Sequence, residues 1–264
     1  PFYIAPSSLR ITEADYAQLE VRVLAHYSKD PALLEAVANT DFHTYAASLA
    51  YGKRPDDITK EERQAGKIVV FGGWMYGGGA KIVAAMAKIP IGEAQEKLDA
   101  YNRAFPQAKA WLDYQIEYAR QHGFVHSDFG RIRRLPNIDH PDKEIRKHEE
   151  REALNSVIQG TASDICNAAL VRIASRLRAE MMLSRPWNVV HDSIVVIGPE
   201  TEVEEVERII TEEMTRRPYR TFAAPLSVEI QSHQRWGGDV DWKKIDEAVG
   251  TWEDVDNGDL HSDV

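Results

Sequence analysis

The sequence predicts an α+β fold, a small antiparallel sheet backed by helices. Three observations carry that reading. Strand-like segments fall near both ends, at residues 8–14, 189–197 and 225–231. Between the first two, apolar residues recur at helical rather than strand spacing. Between the last two, Val203, Val206, Ile209, Ile210 and Met214 form a single apolar stripe, the core-facing side of one more helix.

Taken in order, Leu9 and Ile11 share one side of residues 8–14, a strand that leads into Asp15. Leu19, Val23 and His26 then recur at helical spacing over residues 18–27. Residues 31–50 read as helical with a break at 39–41. Thr59 and Glu62 form a capping-box pattern that opens the helix carrying Arg63 and Lys67. Gly72, Gly73 and the glycines at 77–79 end or distort it. Residues 80–104 and 107–122 read as two amphipathic helices, with Gly123 as a C-terminal stop. "RIRRLPNIDHPDKE" reads as a loop. Residues 146–183 form a long helical stretch, with Pro186 beyond its end. "WNVVHDSIVVIG" reads as a hairpin whose turn is the polar run His191, Asp192 and Ser193. Thr201 and Glu204 are placed to cap the helix that follows. Residues 251–264 are acidic and small, and are expected to be disordered.

A chain of 264 residues has room for one large domain or two intimate ones. Its 43% hydrophobic and 28% charged content is that of a globular protein. The single cysteine, Cys166, excludes an intrachain disulfide. No apolar run approaches the 18 residues of a membrane span and no signal peptide opens the chain, so no membrane partner is expected. A cytoplasmic location follows, that of the host if the source is viral. A net charge of −10 argues, taken alone, against a nucleic-acid binder. The charge is uneven, however. Acid concentrates at residues 200–213 and beyond Glu253, while Arg131, Arg133, Arg134, Lys143, Arg146, Lys147 and Arg151 gather base. From composition alone solvated surface charge is the commoner explanation of such a pattern, and a basic groove on an acidic body is also compatible with it.

The residues that carry chemistry are Asp15 in "ITEADYAQLEVRVLAH" and Asp192 in "WNVVHDSIVVIG", each at the end of a strand-like run. Between them Arg63, Lys67 and Phe71 stand at steps of four, on one helix face. Arg151, Asn155 and Gln159 repeat that spacing. Two acidic metal ligands with a cationic helix face are the equipment of phosphoryl transfer. Taken singly, each aspartate is more often a cap or a turn residue than a ligand, and on a helix standing alone Arg63 and Lys67 read as solvated surface cations.

The ordered set resembles motifs A, B and C of the family A DNA polymerases, the bacterial DNA polymerase I family. "DYAQLEVRVLAH" is similar to DYSQIELRxLAH, "VHDS" to VHDE, and "REALNSVIQGTASDI" to R-x3-N-x3-QGxAADI. The resemblance covers roughly residues 8–247. It implies a palm at residues 1–28 and 146–250, an inserted all-helical fingers subdomain at 29–145, and a tail at 251–264. It also implies template-directed addition of dNTPs to a primer 3′-hydroxyl, with primer-template DNA and dNTPs as partners. Two Mg²⁺ ions would be held by Asp15 and Asp192, with Tyr16 alongside. Glu20, His43, Arg63, Lys67, Phe71 and Tyr76 would contact the nucleotide, Lys67 counting among the catalytic residues and Glu20 excluding a ribose 2′-hydroxyl. Arg151, Asn155, Gln159 and His191 would contact DNA.

The chain departs from that family in three ways. "KIVVFGGWMYG" sets four residues between Phe71 and Tyr76 where the family has three. A step of five swings a side chain about 140° around a helix. A π-bulge can absorb a single extra residue and is the favoured expectation; alternatively Met75 takes the tyrosine's place, or Gly72 replaces Phe71. Ser193 stands where the family has glutamate. Thumb and exonuclease domains are absent, so another polypeptide or an upstream region is expected to supply them. Two rival readings are a non-catalytic polymerase-like DNA-binding subunit or remnant, and a single-subunit RNA polymerase. Glu20 and the QGTASDI helix argue against the second.

Overall fold

The computed structural model describes Ala5 and residues 8–234. β1 (Leu9–Tyr16) enters α1 (Leu19–Ser28) through Gln18, whose φ of 58° makes the sharp turn off the strand. α2 (Pro31–Asn39) and α3 (Phe42–Tyr51) follow, separated at the break read from the sequence. Asp30 starts α2 by accepting from the backbone of Ala32 and Leu33, both at 3.1 Å. Its second oxygen accepts from Gln107 and Ala108 at 2.9 and 3.2 Å, so one buried carboxylate caps two helices. α4 (Lys60–Ile68) opens on the expected Thr59–Glu62 capping box and runs into a π-helical segment, Val69–Met75.

α5 (Gly79–Ala87) and α6 (Ile91–Ala104) replace the single helix expected over 80–104. Lys88 turns left-handed at φ 55° and Pro90 cannot continue the hydrogen-bond ladder, so the helix divides there. α7 (Pro106–His122) ends on Gly123 at φ 73°, as expected. The segment read as a loop contains β3 (Ile132–Arg134), paired with β2 (Phe124–His126). Three exposed residues are too few to leave an alternating pattern. α8 (Lys143–Ala179) is 37 residues long and is capped by Asp142.

β4 (Arg185–Val190) and β5 (Ser193–Pro199) form the predicted hairpin, with Ser193 already in the strand and only His191 and Asp192 at the turn. Pro186 lies within β4, an edge strand, where its missing N–H is tolerated. Thr201 is not a helix cap: a 3₁₀ turn, Glu200–Glu202, leads into α9 (Val203–Thr215) without a side-chain cap. There the Glu202 carboxylate instead accepts from the backbone of Leu183 and Ser184 at 2.9 and 2.8 Å. β6 (Val228–His233) completes an antiparallel sheet of order β4-β5-β1-β6.

Side chains alternate across β1. Ala14 and Tyr16 face the core, where Ile165, Cys166, Ala169 and Ile173 of α8 and Val206, Ile209, Ile210 and Met214 of α9 are buried. Val203 sits half-buried at the end of that stripe. Glu13 and Asp15 stand on the opposite face. Among the described residues no helix is long and apolar enough to cross a membrane. The tail at 251–264 lies outside the described residues.

Candidate active site

The β4–β5 turn is two residues long, and His191 takes φ 55° to make it. This tight turn sets Asp192 beside the end of β1, where Asp15 pairs with Ser193. The Asp15 and Asp192 carboxyls lie close enough to act on one another and line one cavity. Burial first, then the Asp192 charge, push the Asp15 carboxyl up to about 6, with Glu229 and Glu13 adding to the effect. Neighbouring carboxylates repel one another, and a bound cation relieves that repulsion. Among the described residues no three His, Cys, Asp or Glu side chains converge on one metal centre. Two carboxylates nevertheless fit Mg²⁺, which keeps several waters and binds through one or two carboxylates. Tyr16 contributes no side chain: its ring is 2% exposed and its hydroxyl is buried without a partner. Only its main-chain carbonyl remains for the ligand role expected of it.

Asp15, Tyr16 and Asp192 meet Glu20, His43, Lys67 and Phe71 around a cavity of about 340 Å³. Glu20 comes from α1, His43 from the first turn of α3, Lys67 from α4 and Phe71 from the π segment. His43 is 7% exposed and its Nδ1 has no partner within the chain. Burial depresses its pKa to about 4; Asp41 opposes this, and Lys67 and Arg63 add to it. Arg63 is committed elsewhere. It donates to both oxygens of Asp41, at 2.7 and 3.1 Å. Burial works against the Asp41 charge, but Arg63 and Thr44 outweigh it and hold the carboxyl far below its ordinary range. Since Asp41 caps α3, Arg63 fixes the helix end that presents His43.

The π segment takes up the extra residue between Phe71 and Tyr76. Their rings lie 6.3 Å apart, while Met75 is fully buried. The Tyr76 hydroxyl donates to the Glu20 carboxylate. Tyr76, not Met75, therefore faces the site. Asn155 and Gln159 line a second cavity of about 370 Å³ with Arg131 and Arg133. Both arginines are paired, Arg131 with Asp164 at 2.5 Å and Arg133 with Glu152 at 2.9 Å. Arg151 and His191 line neither cavity.

Two residues at the site had no place in the sequence reading. Gln18 lines the first cavity and donates to Asp41 at 2.7 Å. Glu13 accepts from the Ser193 hydroxyl at 3.0 Å. Strand period, which sets Glu13 on the same face as Asp15, is the signal that could have found it. The left-handed backbone of Gln18 left no sequence signal.

The chain is similar to known proteins. The profile described as DNA polymerase family A matches residues 1–238. DNA polymerase I of Chloroflexus aurantiacus is 35% identical over 235 residues, 89% of this chain and 25% of that protein. The thermostable DNA polymerase I of Thermus thermophilus is 34% identical over 238 residues, 89% of this chain and 28% of that protein. A solved structure, the POL domain of Pol1 from M. smegmatis in complex with DNA primer-template and dNTP, matches with a TM-score of 0.83 at 31% identity. That match covers 89% of this chain and 41% of the other. The chain belongs to DNA polymerase family A. It spans about a quarter of the length of the curated relatives it matches.

Proposed function

We propose that this chain carries the nucleotide-adding centre of a template-directed DNA polymerase. The observation that carries the reading is the Asp15–Asp192 pair at one cavity with Lys67, His43 and Glu20. The primer 3′-oxygen attacks the α-phosphorus of a dNTP. A P–O bond forms to the primer, the α–β bridging P–O bond breaks, pyrophosphate leaves, and the hydroxyl proton passes to water. Bound Mg²⁺, two ions in this reading, would supply charge neutralisation at the 3′-oxygen and the triphosphate from Asp15, Asp192 and the Tyr16 carbonyl. Lys67 offsets charge building on the phosphates. The His43 Nδ1, unpaired within the chain, turns to a phosphate oxygen. Phe71 packs on the sugar and base. Glu20, pinned by Tyr76, occupies the space of a ribose 2′-hydroxyl. Arg63 reaches the triphosphate only by leaving Asp41, so it acts first through the end of α3. Asn155, Gln159, Arg151 and His191 meet primer and template. Further grip on DNA comes from another polypeptide or from residues upstream.

Primer extension with Mg²⁺ tests this. Asp15→Asn and Asp192→Asn should each lose at least about 10²–10³-fold in rate while remaining folded. Glu20→Ala should raise rNTP use relative to dNTP. Lys67→Ala should weaken dNTP use and leave DNA affinity intact. Ser193 favours a second reading, a non-catalytic DNA-binding subunit. Binding of primer-template without extension by the parent chain would establish that one.

A further inference from the structure

Glu13 stands two residues before Asp15 on β1, so the two carboxylates share one face of the sheet. On the Asp192 side the neighbouring strand is β5, where Asp15 faces Ser193 and Glu13 faces Val195. The diagonal between them is closed, because the Ser193 hydroxyl donates to Glu13 Oε1 at 3.0 Å. Ser193 directly follows Asp192 and is 5% exposed. In the motif that "VHDS" resembles, this position carries a carboxylate. Here the carboxylate comes from the adjacent strand, and the serine ties it to the hairpin that holds Asp192. Glu229 also stands beside Asp15, but on β6, across β1 from the hairpin.

We propose that Glu13, oriented by Ser193, is a positioning residue of the divalent-cation site. One oxygen accepts from Ser193, and the other accepts from water in the cation's hydration shell. A contact through water suits the geometry, since three such side chains do not converge on one centre among the described residues. It also suits Mg²⁺, which gives up its waters reluctantly. Outer-shell acceptors of this kind orient a metal's ligands and raise its affinity. The inference rests on Asp15 and Asp192 being the cation's ligands.

The test is Mn²⁺ binding to the purified 264-residue chain without DNA or nucleotide, read from the electron paramagnetic resonance of free Mn²⁺. Circular dichroism confirms that each variant is folded. Glu13→Gln keeps an acceptor for Ser193 but removes the charge, and should weaken binding about tenfold. Glu13→Ala combined with Ser193→Glu should restore it. Glu229→Gln, which removes an equal charge from the same face, should change it much less. Unchanged affinity in Glu13→Gln overturns the proposal. So does an equal loss in Glu229→Gln, which would mean bulk charge alone, or a double variant no better than Glu13→Ala. Asp15→Asn separates the two readings. If it also binds Mn²⁺ as the parent does, the ligand assignment itself falls. If it loses binding while Glu13→Gln does not, only the role of Glu13 falls.

Discussion

His43 and Asp15 titrate away from their ordinary ranges, and in both burial is the first cause. For His43 the consequence for stability has a definite sign. Its folded pKa, about 4, lies below the ordinary 6.5, so the native chain keeps the ring neutral where the unfolded chain charges it. The two states agree above pH 6.5. As pH falls from about 6.5 to about 4, the unfolded state gains the proton and stability declines, by about 1.4 kcal/mol per unit and about 3 kcal/mol in all. His43→Gln removes this part of the decline. Urea midpoints of parent and variant should therefore converge near pH 7 and separate toward pH 4.5, with the variant favoured. A constant difference across that range would place the burial of His43 elsewhere in its energetics. Much of this site was legible from spacing, since strand ends and steps of four marked Asp15, Asp192, Lys67 and Phe71. Spacing could not say that Asp41 takes Arg63, because the two lie 22 residues apart and meet only in the packed structure. Nor could it pair Glu13 with Ser193, a contact 180 residues long that only sheet register creates.

The π segment shows how one element converts an irregular sequence into a defined geometry. An α-helix would aim Tyr76 about 140° away from Phe71, since the two are five residues apart. Widening the turn keeps the two rings 6.3 Å apart and lets Tyr76 reach Glu20. The segment closes on Gly78, where a Cβ would lie 1.9 Å from the Gly72 carbonyl oxygen. Backbone cannot yield as a side-chain tip can. The φ of Gly78 is −67°, so alanine there meets only this clash and no backbone strain. Gly78→Ala should cost about 1–3 kcal/mol in urea unfolding, and should free Tyr76 from Glu20. Gly72→Ala meets the flexible Met86 sulfur at 3.1 Å and should cost much less. Equal costs for the two would mean that the segment tolerates a shift of its closing turn. Helices with caps were the elements most legible in sequence, as Thr59–Glu62 and Gly123 illustrate. The division at Pro90 was missed because the apolar spacing runs on through it. The β2–β3 pair was missed because strands of three residues carry no period.

Across the whole molecule, charge limits what these residues can do with DNA. The net charge is −10, and the arginines around the second cavity already hold carboxylates. Arg120, in the last turn of α7, is likewise paired, with Glu150 at 2.6 Å. To meet a phosphate, each must first release its partner. Affinity for a duplex comes largely from phosphate neutralisation and the release of counterions, so a surface of pre-paired arginines binds weakly. At about 150 mM salt, fluorescence anisotropy should give a Kd for primer-template of about 10⁻⁶ M or weaker, the range of non-specific binders. Extension should release products after few additions. The pairing itself can be tested by combining Asp164→Asn with Glu152→Gln. These changes free Arg131 and Arg133 without adding a cation. Binding should tighten, and the slope of log affinity against log salt should steepen by about one to two units, the share of two added phosphate contacts. A parent chain that already binds tightly with long products would show that its own basic residues suffice. A double variant with the parent's salt slope would show that Arg131 and Arg133 do not face DNA.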